Sequence, residues 1–201
     1  MAQGNPMSFL NVNKPEITLP AGTDPYADEV YAAGRANLEQ FVADGHLVED
    51  PEETMYVYQQ SMGGHTQFGL IGLASVHDYE ENRLKRHEFT LAKKEADRTR
   101  LTDEQSANVG PVFLTFRENQ ELIKARMAAI VADCVPYGDV TCDDGVRHVL
   151  WRCSAADAAF FISAFFSRRP AFTFASAPTT SAPSSRAKHA AATPLFLRAF
   201  E

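Results

Sequence analysis

The composition of the chain changes abruptly after Phe166, and this change limits the fold more than any other feature of the sequence. Of the last 35 residues, 22 are Ala, Ser, Pro or Thr, and residues 177–185 show neither a helical nor a strand period. A segment of this composition buries too little apolar surface to offset its conformational entropy. The sequence therefore predicts a partial domain over residues 1–166 and a disordered tail over residues 167–201.

A helix that is apolar nearly all round is predicted immediately before the tail, over residues 158–166. Such a helix needs cover on several sides. Because the tail offers no apolar period, we expect this helix to be a core element whose neighbours are missing from the chain.

Strand-like segments occur in two pairs, each separated by a short turn. Residues 55–58 and 68–76 flank a turn that contains Gly63 and Gly64, and residues 139–142 and 146–152 flank Asp144 and Gly145. Glycine-containing turns between strand-like segments favour antiparallel hairpins. Further strands are predicted over residues 8–12 and 110–116.

Helices are predicted between these strands. Asp24 followed by Pro25 is a typical helix start, and Gly45 is a typical stop. A second apolar stripe contains Ile123, Met127, Ile130 and Val131, and a capping box of Ser154 and Asp157 opens the last helix. We therefore expect an α+β (or α/β) fold with a mixed, largely antiparallel sheet, flanking helices and the disordered tail.

Charge and apolar content exclude several classes of function. The chain carries a net charge of -7, and residues 1–166 hold 14 basic against 25 acidic residues. Since a surface of this charge repels a phosphate backbone, nucleic-acid binding is not expected. No segment is apolar enough to span a membrane, and the three cysteines show no C-x-x-C spacing. The first residues have neither the basic nor the apolar region of a secretory signal, so none is expected. The expected location is the cytoplasm.

The densest set of reactive side chains lies between residues 85 and 100. Arginine forks and lysines suit phosphate oxygens, whereas a histidine beside a carboxylate suits proton transfer. We predict His87 and Glu88 as catalytic residues. The ligand-binding residues are predicted to be Lys85, Lys94, Glu95, Asp97, Arg98 and Arg100. The alternative to a binding site is a solvated helix and loop whose charged side chains form salt bridges, which is typical of charge-rich segments.

Arg147 is a further candidate for ligand binding. It precedes His148 on a predicted strand, and neighbours on a strand point to opposite faces, so only one of the two can face a given pocket. The alternative is that the nearby acids, Asp143 and Asp144, only form the turn and that Arg147 takes part in cross-strand pairing. The six histidines show no metal-binding pair, so no metal site is predicted.

Six segments, in order along the chain, carry a resemblance to a known family. They are GNPMSFL with KPEI (4–10, 14–17), YVYQQ with MGG (56–60, 62–64), KRHE (85–88), KEADRTR (94–100), GPVFLT (110–115) and DGVRHVLW (144–151). Together they resemble the uncharacterised prokaryotic family called Domain of Unknown Function 1015, from about residue 3 to residue 166.

The resemblance implies more than the residues do. Members of this family begin earlier and continue into a strand bearing Asp-Gly-His-His-Arg, where this chain has residues 175–180. It therefore implies a chain truncated at both ends, with a tail translated out of frame. The absent element is similar to one in ParB-like proteins, some of which bind nucleotides or phosphorylate free serine.

Three functional hypotheses follow. The leading one is an enzyme of phosphoryl-transfer or nucleotide-binding type, which would use ATP or ADP with Mg²⁺ and a small phosphorylated ligand. The second is a non-catalytic ligand-binding or regulatory module that uses the same cluster. The third is an inactive truncated fragment.

Overall fold

The computed structural model of the chain describes residues 4–85, 90–116 and 120–166, and the backbone of residues 192–199. The chain divides into two compact units. The first contains Met1–Glu49, Ser75–Gly110 and Ser184–Ala192, and the second contains Asp50–Ala74, Pro111–Pro183 and Thr193–Glu201. The predicted tail falls largely on residues 167–191, 200 and 201, which lie outside the described residues.

The first unit is helical in all its described elements. They are α1 (Leu10–Asn13), a 3₁₀ turn (Pro15–Thr18), α2 (Asp28–Ala43), α3 (Val76–Glu80) and α4 (Ala92–Gln105). Val12, Val30, Tyr31, Phe41 and Leu101 are its buried apolar side chains. Burial of these residues holds the unit together.

Two predictions for the first unit are wrong in detail. The predicted strand over residues 8–12 overlaps α1 instead. Phe9 and Val12 are three residues apart and therefore also share one face of a helix, and the burial of Val12 favours the helix. The predicted start of α2 at Asp24 is four residues early. The Asp24 carboxylate accepts a hydrogen bond from the Tyr26 amide at 3.0 Å and so closes a turn, and Asp28 opens the helix.

Helices α2 and α4 approach closely at Gly34. A Cβ atom at this position would lie 3.0 Å from both Leu101 Cδ1 and Pro15 Cγ. The buried Gln105 side chain donates hydrogen bonds to the carbonyl groups of Val12 at 2.9 Å and Gly34 at 3.1 Å. These contacts hold α4, which carries most of the predicted site, against α1 and α2.

The second unit is built on a mixed sheet. Its strands are β1 (Tyr56–Met62), β2 (His65–Ser75), β3 (Val112–Phe116), β4 (Gly138–Thr141), β5 (Arg147–Arg152) and β6 (Ala192–Ala199), in the order β3-β6-β2-β1-β5-β4. The pairs β1–β2, β1–β5 and β4–β5 are antiparallel, whereas β3 and β6 are parallel. The α+β class, the largely antiparallel sheet and both hairpins are confirmed. Strand β6 lies within the segment predicted as a tail, and the sequence analysis did not predict it.

Two helices pack on one face of this sheet. They are α5 (Gln120–Asp133) and α6 (Ala155–Phe166). The core combines Val57, Leu70, Val149 and Trp151 of the sheet with Ile123, Met127 and Ile130 of α5 and Phe161 of α6. Phe161 of α6 is fully buried within this core, whereas Ile162 of the same helix is 46% exposed, so α6 is covered on the side that faces the core and exposed on another.

The capping box at the start of α6 is confirmed. The Asp157 carboxylate accepts from the Ser154 amide at 3.2 Å and from the Ser154 hydroxyl at 2.6 Å, while the Asp157 amide donates to that hydroxyl at 3.1 Å. No helix within the described ranges has the length and apolar character needed to cross a membrane.

Candidate functional site

Helix α4 carries five of the predicted site residues: Lys94, Glu95, Asp97, Arg98 and Arg100. Lys85 is exposed and follows α3. The predicted catalytic pair, His87 and Glu88, lies outside the described residues, and Arg147 belongs to the second unit. The site is therefore described from α4 and the side chains that it contacts.

The orientation of α4 follows from its sequence pattern. Asp97, Leu101 and Gln105 are four residues apart, so they share one face, and this face packs against α1 and α2. At the N-terminal end, the Thr90 hydroxyl donates to the Glu95 carboxylate at 2.7 Å. At the other end, Ser106 adopts a left-handed conformation with φ of 50° and ends the helix.

The Asp97 carboxylate is tied into the packing of the first unit. It accepts a hydrogen bond from the Tyr31 hydroxyl at 2.8 Å and from Arg98 Nε at 3.0 Å. Arg98 also donates to the Asn13 carbonyl at 3.2 Å. Burial, together with the hydrogen bond to Asp97, raises the pKa of Tyr31. Arg98 and Asp97 thus connect α4 to α1 and α2, which is a structural role.

Arg100 is held in a different way. Its guanidinium lies 4.0 Å over the centre of the Tyr31 ring, and Nη2 donates to the Asp28 carboxylate at 2.6 Å. The Asp28 side chain is 93% exposed. The hydrogen bond to Asp28 raises the pKa of Arg100, although desolvation acts against it. The orientation of Arg100 is thus fixed, and its only carboxylate partner among the described residues is exposed to solvent.

A surface depression of about 540 Å³ lies beside Arg100. The described residues that line it all belong to α4: Ala92, Glu95, Ala96, Thr99, Arg100 and Asp103. The two alanines leave room over the helix, Thr99 offers a hydroxyl, and Arg100 offers its guanidinium. Glu95 and Asp103 place negative charge at the two ends of the depression.

The two lysines at this end of α4 differ. Lys93 Nζ lies 4.0 Å over the centre of the Tyr26 ring. Lys94 is exposed, and it forms no ion pair with any residue in the described ranges. Its ammonium group is therefore available to an anion in solution.

Arg147 has a carboxylate partner within the second unit. Its Nε and Nη2 atoms donate to Asp139 at 2.9 and 2.6 Å, across β4 and β5. The hydrogen bond from Arg147 is the main reason that the pKa of Asp139 is lowered. The neighbouring His148 points to the opposite face of β5, as strand geometry requires. This is the cross-strand pairing that the alternative interpretation of Arg147 describes.

The described carboxylates do not fit a Mg²⁺-bound nucleotide. Glu95 and Asp103 are eight residues apart on one helix, which separates them by about 12 Å along its axis, too far for one ion. Among the described residues, no group of three or more His, Cys, Asp or Glu side chains is arranged to hold a metal.

Sequence reasoning missed Asp28 and Tyr31 as partners of the site. Asp28 accepts a hydrogen bond from Arg100, which is 72 residues later in the sequence. Tyr31 donates one to Asp97, which is 66 residues later. No local pattern reports a contact over that separation. Only the packing of α2 on α4, which Gly34 permits, brings them together.

Comparisons with known proteins gave one match. A family model with the description "protein of unknown function (DUF1015)" matches residues 1–175. No curated protein and no solved structure matches the chain.

Proposed function

We propose a function from one premise, which is that the chain belongs to the DUF1015 family of proteins of unknown function. In this proposal the depression on α4 binds a small phosphorylated ligand. The acidic body of the chain argues against a nucleic acid as the partner. We also propose the cytoplasm as its location, because all three cysteines are free.

The arrangement of Arg100 is the observation that supports this function. Its planar fork is stacked on Tyr31, so little side-chain entropy remains to be lost when an oxyanion binds. Its partner Asp28 is exposed, and exposed ion pairs contribute little stability. A phosphate group can therefore take the place of the Asp28 carboxylate, with two charge-assisted hydrogen bonds from one guanidinium.

Thr99 completes the proposed phosphate site. It lines the same depression as Arg100 and adds a hydroxyl donor. Lys94 also lies on α4 but does not line the depression, so it adds only a positive charge at longer range. Glu95 and Asp103 would repel a long polyphosphate, so the proposal favours a single phosphate group over a nucleoside triphosphate.

A catalytic version of the proposal requires additional residues. In it, His87 and Glu88 transfer the proton and the α4 cluster holds the phosphate of a nucleotide. The non-catalytic version requires only the α4 residues. Assaying phosphate transfer from ATP to free serine with this chain separates the two versions.

Thermal unfolding in the presence of inorganic phosphate tests the binding proposal. We expect phosphate to raise Tm, because a ligand that binds only the folded state stabilises it by about 2.7 kcal/mol at a hundredfold excess over Kd. Arg100→Met keeps an unbranched side chain over Tyr31 but should abolish the rise. Asp28→Asn should increase it, because the competing negative charge is removed.

Arg35→Met is the matched control for Arg100→Met. Arg35 is also a half-exposed arginine of the first unit, with carboxylate partners at 3.7 and 3.9 Å, and it does not line the depression. Its variant should keep the phosphate-induced rise. Equal rises in the two variants would contradict the proposal.

A further inference from the structure

We propose a second binding site, in which His148, oriented by Tyr58, and Gln60 on the sheet of the second unit hold the carboxylate of a small apolar acid. This site shares no residue with the depression on α4. Binding at this site can therefore be tested independently of the proposed function, and a negative result for one leaves the other unaffected.

The pair lies on the face of the sheet that does not carry the core. Tyr58 is opposite Leu150, and Gln60 is opposite His148, whereas the core residues Val57 and Trp151 alternate with them. We call the face that carries Tyr58, Leu150 and His148 the outer face. Tyr58 and His148 are both half-buried there.

A hydrogen bond fixes the orientation of the His148 ring. The Tyr58 hydroxyl lies 2.5 Å from Nδ1, and the two rings are stacked with centroids 6.0 Å apart and an interplanar angle of 24°. When the phenol donates to Nδ1 of the neutral ring, the proton of the imidazole resides on Nε2. In that tautomer Nε2 is an oriented donor, and no hydrogen bond joins it to another residue within the described ranges.

A second donor lies beside it. Gln60 faces His148 directly across β1 and β5, which places the two Cβ atoms about 5 Å apart. The Gln60 side chain is exposed, so its amide can turn toward a ligand. An N–H group from each residue matches the two oxygens of one carboxylate.

Free space for the apolar part of the ligand lies next to the pair. Gly138 of β4 is opposite Leu150, and a Cβ atom at Gly138 would meet nothing within 4 Å. Val140, opposite His148, is 60% exposed. Leu150 and Val140 therefore present apolar surface beside two polar donors, and the apolar part of a ligand can pack on it.

Arg152 is the cation nearest to His148 on the outer face of β5, and it already has a carboxylate partner. Arg152 pairs with Asp50 at 3.7 Å, and Asp50 also accepts from the Tyr56 hydroxyl. The carboxylate would therefore depend on His148 and Gln60.

NMR titration of the full chain with benzoate tests the site. We expect the ring resonances of His148 to shift and saturate, and benzyl alcohol, which has the same ring without the carboxylate, to bind about tenfold more weakly. This comparison needs no variant. Benzoate that leaves the His148 resonances unchanged, or binds no better than benzyl alcohol, overturns the proposal.

Two valine substitutions on β4 locate the apolar part. Gly138→Val fills the free space and should weaken benzoate binding about tenfold. Thr141→Val, on the opposite face of the same strand, is the matched control and should leave binding unchanged. Equal affinities in the two variants, both folded by circular dichroism, would refute the location.

Discussion

The contact between α2 and α4 at Gly34 can be tested with one substitution, Gly34→Ala. A Cβ atom would lie 3.0 Å from Leu101 Cδ1, 3.0 Å from Pro15 Cγ and 3.1 Å from Gln105 Nε2. The neighbours have little freedom to move, because Leu101 is buried, the Pro15 ring is rigid, and the Gln105 amide donates two hydrogen bonds. The added methyl group therefore requires these neighbours on α4 and the 3₁₀ turn to shift against their packing.

Two opposing effects set the size of the change. Alanine is favoured over glycine inside a helix by about 0.5–1 kcal/mol. Overpacking a buried contact costs about 1–3 kcal/mol. With three contacts at or near 3.0 Å, steric cost exceeds helix propensity, and we expect a net loss of about 1 kcal/mol of folding free energy.

Urea unfolding followed by far-UV circular dichroism measures this change, since all the described elements of the first unit are helical. Ala36→Gly, at an exposed position of α2, is the control that measures helix propensity alone, and it should cost about 1 kcal/mol. Stabilisation by Gly34→Ala, equal in size to the loss in Ala36→Gly, would show that the two helices do not pack closely at Gly34.

Two further predictions concern the second unit. Burial acts to raise the pKa of Asp157, but hydrogen bonds from Ser154 and Arg126 outweigh it and hold the pKa below its ordinary value. The carboxylate therefore stabilises the fold above a pH of about 4 and loses this effect as pH falls through the lowered pKa. Asp157→Asn should cost about 1–3 kcal/mol at neutral pH in urea unfolding, with a smaller difference in acid, and a constant difference would argue against it. Burial, with a contribution from Asp157, raises the pKa of the Cys153 thiol to about 12, whereas Cys134 and Cys142 are exposed. A thiol reagent should modify two cysteines in the native protein and the third only after unfolding; three equal rates would contradict this assignment.

The hairpins were predictable because their signals are local. Gly63, Gly64 and Gly145 have φ values of 58°, 81° and 82°, a conformation that glycine adopts without the steric cost of a Cβ atom. The capping box of α6 is equally local, since its two members are three residues apart. In both cases a few adjacent residues determine the backbone.

The first helix was not predictable from local pattern. Residues 8–12 fit one strand face and one helical turn equally well, and the choice depends on the burial of Val12 among α2 and α4. Gln105, which donates to the Val12 carbonyl, is 93 residues away in the sequence. A contact of this range exists only after the unit has folded.

The candidate site shows why a high density of charge in a sequence does not by itself identify a binding site. The segment around α4 was singled out for its cations, yet Arg98 is engaged by Asp97 and the Asn13 carbonyl. Arg100 differs because its carboxylate partner is 93% exposed while its own position is fixed by Tyr31. A replaceable partner and a fixed orientation are properties of the folded unit, so the sequence could locate the charged cluster along the chain but could not rank Arg100 above Arg98.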